Sequence, residues 1–550
     1  MISFPPEIFK PTGSEDFNPS IRLFGRRFSD DQQVVDLVAE FLLVFGSPKI
    51  AHNEFVGIFP SQAELTKWRS ESAALKYFPK LHLNLKLFSF LSSSRLESRH
   101  KTHREHALEL NESLASRVDL ETEEEKSELL RMLSNLSLGF WGNGAERTWC
   151  AQTFYPFCKS VLSGEVIWNE TEARKRDPMS WHEVMNLYSS LFDSNKHRFL
   201  ARGGEALYLQ LCNVLAQTKE EIAEWLDESG LDGFAEDERD PQKLRESLEH
   251  GVSSFFEATP SALEKVLRFI DAGVDADTAE CSDFVNDHGR RVSRSVTCGW
   301  IPQESWREGF LFAVELKRIF AARLGVMETV DMLQVACAFQ VMRSLAAQTY
   351  RNSKTEGGRK DGLDYRLLVC DPAASSQRIK DFSGKSLAEI TREIQQVIRM
   401  PEMVKNVDDY CASKEGVRSN PKKIYTDADK YGYKLYRKIG KGVGFIVPPK
   451  GRYMRYSLNE RILKYLVVSL VPGERMTLET FKQQLERHHG IVFDIDRLSQ
   501  SRNWCERVDE LRGGESANEF LERMLEAAGT LVRLSDSCSL VKNPYVEAVR

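Results

Sequence analysis

Several short stretches hold the residue types that catalytic and binding chemistry uses. Glu315-Leu316-Lys317 has the acid-x-lysine lettering of metal-dependent nucleases. It falls in an amphipathic helical pattern rather than on a strand, and no upstream aspartate partners it. Gly384-Lys385-Ser386, in FSGKSLAEI (382–390), has the lettering that closes a phosphate loop, and YRLLVCD (365–371) supplies an upstream strand. A phosphate loop also needs a glycine five residues before Gly384, where this chain has Ile379. Without it the backbone cannot wrap the phosphates, and Ser383 reads as a helix cap. GKGVG (440–444) holds three glycines but leads into strand-like residues and two prolines, not a helix.

His100, His103 and His106 recur at a spacing of three, which on one helix face could collect a metal. Arg99, Lys101 and Arg104 beside them would repel a cation, so a solvated basic helix competes with that reading. Cys281, His288 and Cys298 lack regular spacing and a fourth ligand for zinc. Arg198 and Arg202 precede Gly203-Gly204 and a helix start, a place where a helix amino end and arginines can hold a phosphate. None of these assembles a catalytic set. The chemistry expected is therefore binding, with no cofactor and no metal.

The binding signal lies near the end. YGYKLYRKIGKGVGFIVPPKGRYMRY (431–456) carries Lys434, Arg437, Lys438, Lys441, Lys450, Arg452 and Arg455 and no acid. Residues 421–465 hold twelve lysines and arginines against Asp427, Asp429 and Glu460, a local charge of +9. The whole chain has a charge of −6, so the rest sums to −15. Such segregation, with Tyr431, Tyr433, Tyr436, Phe445, Tyr453 and Tyr456 among the cations, suits a polyanion with stackable bases. The competing reading is a solvated ribbon that neutralises an acidic body.

The elements around these residues follow from period and punctuation. YKLYRKIG and VGFIVPP alternate like strands, so 431–456 reads as a β-hairpin or loop-rich ribbon. Helices are expected at 457–471 (cap Ser457), 477–490 (cap Thr477, stop Gly490), 494–512 and 515–529, then a hairpin over 530–545 turning at Ser535–Ser537. The third helix shows Arg497, Gln500, Ser501, Arg502, Asn503 and Arg507. Helix, helix, polar helix and hairpin is the order of a winged helix, whose third helix offers such side chains to base edges. The additional helix at 515–529 departs from the simple form.

Upstream, the pattern is helical. Ser29 to Gln32 resembles a capping box opening a helix that Gly46-Ser47-Pro48 ends. Further helices are expected at 121–137, 145–162, 180–192, 203–216, 242–257, 260–272, 304–324, 327–350 and 384–399. LHLNLKLFSFL (81–91) fits an early strand or a buried helix. ESGLDGFAEDERDPQ (228–242) and NSKTEGGRKDGLD (352–364) read as linkers or exposed loops.

At 550 residues the chain is too long for one ordinary core. The expected fold is mainly α and multi-domain, with a small α+β winged-helix-like unit at the end. The expected domains are 1–142, 143–228, 243–420 and 421–550. No window has the ~18 uninterrupted apolar residues of a membrane span. MISFPPEIFKPTG lacks the basic start and apolar core of a secretory leader. Ten scattered cysteines without a CxxC pair read as free thiols in a reducing compartment, so a cytoplasmic location is expected.

Three stretches carry a resemblance: FGRRFSDDQQVVDLVAEFLLVFGSPK (24–49), RFLARGGEALYLQLCNVL (198–215) and KIGKGVGFIVPPKGRYMRYSLNERILKYLVVSLVPGERMT (438–477). Together they resemble bacterial proteins of antiviral defence islands, accessory components of Druantia-type systems. The resemblance covers under a fifth of the chain. It implies a role against phage beside other defence subunits, including a large helicase, and transfers no site residue. The expectation is a non-catalytic, nucleic-acid-binding subunit with DNA as ligand. The alternatives are a helical scaffold for other proteins and a divergent metal-dependent nuclease.

Overall fold

The computed structural model describes residues 18–25, 33–51, 54–55, 57–71, 75–77, 122–138, 203–258, 296–353, 361–413, 420–498, 516–535 and 538–546. Short pieces at 112, 115–116, 162, 167–168, 192–193, 284–285, 291–292 and 501 are described as well. The expected elements at 81–91, 145–162, 180–192 and 260–272 lie wholly or almost wholly outside these residues.

Helices dominate the described residues, and the longest is at the centre. Val326–Asn352 carries apolar or small residues on every side, and from Thr329 to Tyr350 all but Asp331 are buried. A helix apolar all round must be enclosed. Here Val34–Gly46, Trp306–Ala321, Gln377–Ile398, Leu435–Gly442 and Glu460–Leu470 pack around it. One contiguous apolar core runs from Leu23 to Val541 through all of these helices.

A close helix contact explains Gly204. Gly203–Leu215 lies so close to Val34–Gly46 that a Cβ on Gly204 would sit 2.2 Å from the backbone nitrogen of Phe41. Gly204→Ala is therefore expected to cost at least ~1–3 kcal/mol, the usual cost of overpacking, because the obstacle is backbone. A shift in denaturant midpoint checks this. Just past the same contact, Lys49 is fully buried. Its amino group donates to the carbonyls of Val44, Phe45 (2.9 Å) and Ser47 (2.7 Å), satisfying oxygens the helix end leaves open. Burial pulls its pKa down to about 7.

Four sequence expectations need correction here. The start of the Val34–Gly46 helix is marked by Gln33, whose N–H donates to the Asp36 carboxylate at 3.1 Å; Ser29 lies outside the described residues. Residues 228–242 are not an exposed linker. Gly230 closes the Lys219–Ser229 helix in the left-handed region, Leu231 and Phe234 are buried, and buried Glu238 holds Arg318 at 2.8 Å. Gly384-Lys385-Ser386 lie inside Gln377–Ile398 and do not open it. The cap is Ser376, while the Ser383 hydroxyl receives the Tyr456 N–H at 2.9 Å. Residues 431–442 are helical, not strand: a π turn at Lys430–Lys434 runs into Leu435–Gly442. Leu435, Tyr436, Ile439 and Gly440 are its buried face, at helical spacing.

Strand structure starts at Ile446–Val447, paired antiparallel with Arg455–Tyr456. Glu460–Leu470 follows, capped by Asn459 rather than Ser457. Thr477 and Gly490 bound Leu478–His489 as expected, the glycine in the left-handed region. Ile491–Val492 then runs parallel to Leu367–Leu368, tying the end of the chain to its middle. The last sheet has three antiparallel strands, Arg475–Thr477, Cys538–Lys542 and Leu531–Ser535, in that spatial order. The hairpin expected over 530–545 is its last two strands, after the Asn518–Ala527 helix.

Candidate nucleic-acid interface

The cations singled out near the end of the sequence separate by their place in the fold. Leu435–Gly442 buries its apolar face against the central helix, which turns the other face outward. Lys434, Lys438 and Lys441 are spaced by four and three, so they share that outer face. Lys434 is exposed, and Lys438 and Lys441 are half-buried. Arg437 lies to one side. Its guanidinium stacks over the Tyr433 ring at 5.3 Å and donates to Thr391 Oγ1 at 3.2 Å.

The Ile446–Tyr456 hairpin follows directly. Its tip presents Lys450, Arg452 and Tyr453, all exposed. Tyr453 is 85% exposed and has φ +61°, a left-handed conformation that costs a bulky residue on the order of 1 kcal/mol. Arg455, on the returning strand, is half-buried.

Pairing decides which of these charges remain available. Lys430 meets Asp427 at 3.1 Å, Arg461 meets Asp331 at 3.4 Å, and Lys464 meets Glu328 at 2.5 Å. Lys422, Lys423, Lys434, Lys441, Lys450 and Arg452 form no ion pair with any described residue. The ribbon is thus only partly neutralised by the protein's own carboxylates.

The expected aromatic platform is largely withdrawn. Tyr436, Phe445 and Tyr456 are buried, and the hydroxyls of Tyr436 and Tyr456 meet at 3.0 Å. A base cannot stack on them. Tyr453 is the ribbon's one fully exposed ring. Arg497 is also diverted: its Nη1 lies 3.7 Å from the Glu486 carboxylate. Gln500, Arg502 and Asn503 lie outside the described residues, as does most of the helix expected at 494–512, of which Ile495–Leu498 is described.

The other candidates for chemistry that fall on described residues resolve into packing. Glu315 and Lys317 point apart. Lys317 bonds Asp237 at 2.5 Å, whereas Glu315 is buried against Arg343, with Nη2 at 2.6 and 2.9 Å from its oxygens. No group able to hold a metal occurs among the described residues. The amino end of Gly203–Leu215 is already served by the protein, since the Gly204 N–H donates to Glu40 Oε2 at 2.7 Å. Arg198 and Arg202 lie outside the described residues. So do His100, His103, His106, Cys281 and His288, while Cys298 is buried. Gly440 is a packing glycine, because a Cβ there would lie 2.5 Å from Ile446 Cδ1.

Compared with family models, curated proteins and solved structures, the chain matches none. Its site must be read from its own side chains.

One cluster was not foreseen as a group, although Glu315 had been singled out within the acid-x-lysine stretch. Glu315, Arg343, Tyr465, His488 and His489 meet in the interior from four helices. Tyr465 donates to Glu315 Oε2 at 2.8 Å, and His489 Nδ1 lies 3.2 Å from Arg343 Nη2. A guanidinium only donates, so Nδ1 accepts and the His489 proton sits on Nε2, 3.4 Å from Glu315. Burial pushes both histidines below their ordinary pKa, against the pull of Glu315. Burial also opposes ionisation of Glu315, but Arg343 and the histidines overcome it and hold that carboxyl far below the usual range. All five side chains are buried, so here the cluster is a contact of the interior.

Proposed function

We propose that the chain is a non-catalytic nucleic-acid-binding protein, with DNA as the expected ligand. The observation that carries this is the lysine face 434/438/441 leading into a hairpin tip with Lys450, Arg452 and Tyr453. Lys434, Lys441, Lys450 and Arg452 lack an internal counter-ion among the described residues. Phosphates satisfy such cations, and the Tyr453 ring offers one stacking surface.

The sheet order first, third, second, with the first strand between the Glu460–Leu470 and Leu478–His489 helices, supports a winged-helix reading of the last unit, with the Leu531–Lys542 hairpin as wing. The Asn518–Ala527 helix is an insertion in that scheme. A place beside a helicase in an antiviral system rests on the three resembling stretches alone.

The test is a binding titration on labelled single- and double-stranded DNA at several salt concentrations. With about five phosphates contacted, log affinity falls with log salt at a slope near −4.5 on duplex. Reversing Lys441, Lys450 and Arg452 to glutamate is expected to flatten that slope by about 3. Tyr453→Ala is expected to weaken single-stranded binding by ~1–3 kcal/mol and duplex binding less. A salt-independent affinity, or one indifferent to the triple reversal, removes the proposal.

A further inference from the structure

We propose that the outer face of the C-terminal sheet docks an acidic amphipathic helix from a partner protein. The site is distinct from the lysine face; it uses the outer side of the hairpin read above as a wing, and it does not depend on the nucleic-acid reading. Antiparallel register places Arg475 directly opposite Lys542 and Thr477 opposite Leu540, with Val532 on the other side of Leu540. Residues directly opposite share a face, so Arg475, Thr477, Lys542, Leu540 and Val532 lie together. Arg475, Thr477 and Lys542 are exposed, Val532 is 40% exposed, and Leu534, at the bulge beside it, is 60% exposed.

Two features of this face ask for the same occupant. Like charges directly opposite in a ladder destabilise it, and neither Arg475 nor Lys542 has an ion pair with a described residue. That end of the face is complementary to carboxylates. The other end is aliphatic and uncovered. A phosphodiester backbone would satisfy the cations but leave Val532 and Leu534 against charge. A protein segment that combines Asp or Glu with Leu, Ile or Val satisfies both ends. The two outer strands stand about 10 Å apart, a width that one helix covers. The opposite face of the sheet is not available, since Val541 is buried and Arg533 turns to Glu526 at 2.6 Å.

The experiment uses the full chain and two labelled synthetic helices of equal length, one patterned with Glu and Leu, the other with Lys and Leu. Fluorescence anisotropy is expected to show binding of the Glu/Leu helix only. Arg475→Glu with Lys542→Glu is expected to weaken it on the order of 10-fold and to admit the Lys/Leu helix. Val532→Ser is expected to weaken both pairings. All three positions are exposed, so the fold is retained, and circular dichroism verifies that. Absence of Glu/Leu binding, or binding unchanged by the charge reversal, overturns the proposal. So does a loss of DNA affinity in the reversed variant without loss of peptide binding, which assigns the face to nucleic acid. Self-association of the parent chain through these residues in sedimentation overturns it in favour of a second copy.

Discussion

Glu315→Gln is expected to destabilise the protein by about 3–5 kcal/mol, the usual cost of leaving one partner of a buried ion pair alone. The reason is what stays behind. Arg343 is 1% exposed, and its Nε and Nη1 already lack hydrogen-bond partners. Both Glu315 oxygens receive its Nη2, and Tyr465 adds a third bond. Glutamine keeps the shape and removes the charge, so the guanidinium remains desolvated without a counter-ion. Domains of ordinary stability hold only ~5–15 kcal/mol in total, so this change removes a large part of it. Removing both charges, as Glu315→Leu with Arg343→Met, is expected to cost much less, because no uncompensated ion remains. Guanidinium unfolding followed by circular dichroism measures both. A single variant within ~1 kcal/mol of the parent would mean the pair is already hydrated and the cluster has been misread.

That cluster also shows where sequence reasoning reached its limit. Local signals worked where a single residue type dictates backbone. Thr477 and Gly490 bounded a helix correctly, and the last two strands pair as the expected hairpin. The long Val326–Asn352 helix was legible because nearly every turn is apolar. The ribbon was misassigned because Tyr433, Leu435 and Ile439 fit a strand alternation while Leu435, Tyr436 and Ile439 fit a helical face, and eight residues are too few to separate the periods; packing on the central helix decided it. Serines misled twice, since Asn459 and Ser376 supply caps that Ser457 and Ser383 had been expected to give. The acidic loop 228–242 looked solvated because its charges outnumber its anchors, yet Phe234 and Glu238 fix it to the body. Of the site, the free cations were legible by charge count, but which tyrosines remain exposed was not. The meeting of Glu315, Arg343, Tyr465, His488 and His489 joins positions up to 174 apart in the chain, and no spacing rule reports such a contact.

The histidine pair gives the protein a stability that depends on pH well above the carboxylate range. His488 and His489 are buried, and burial lowers both pKa values below the ordinary 6.5. In the unfolded chain both take up protons once the pH falls below about 6.5, while in the folded chain burial makes each resist protonation, His489 the more strongly. The unfolded state then binds more protons, so stability is full above that pH and declines as the pH falls. A group that stays neutral contributes a slope of at most about 1.4 kcal/mol per pH unit, and His489, pushed furthest down, contributes the larger share. Glu315 acts in the same direction but lower, because its depressed pKa gives stability that is lost only as acid reaches the carboxylate range. Denaturant midpoints are therefore expected to fall as the pH drops below about 6.5, before the carboxylates of the surface are titrated. His489→Gln keeps a polar group beside Arg343 and Glu315 but cannot titrate. It is expected to lower stability at pH 7.5 while removing the larger part of the slope below pH 6.5. A variant with the parent's slope would place the acid sensitivity elsewhere in the chain, in histidines that do not face Glu315.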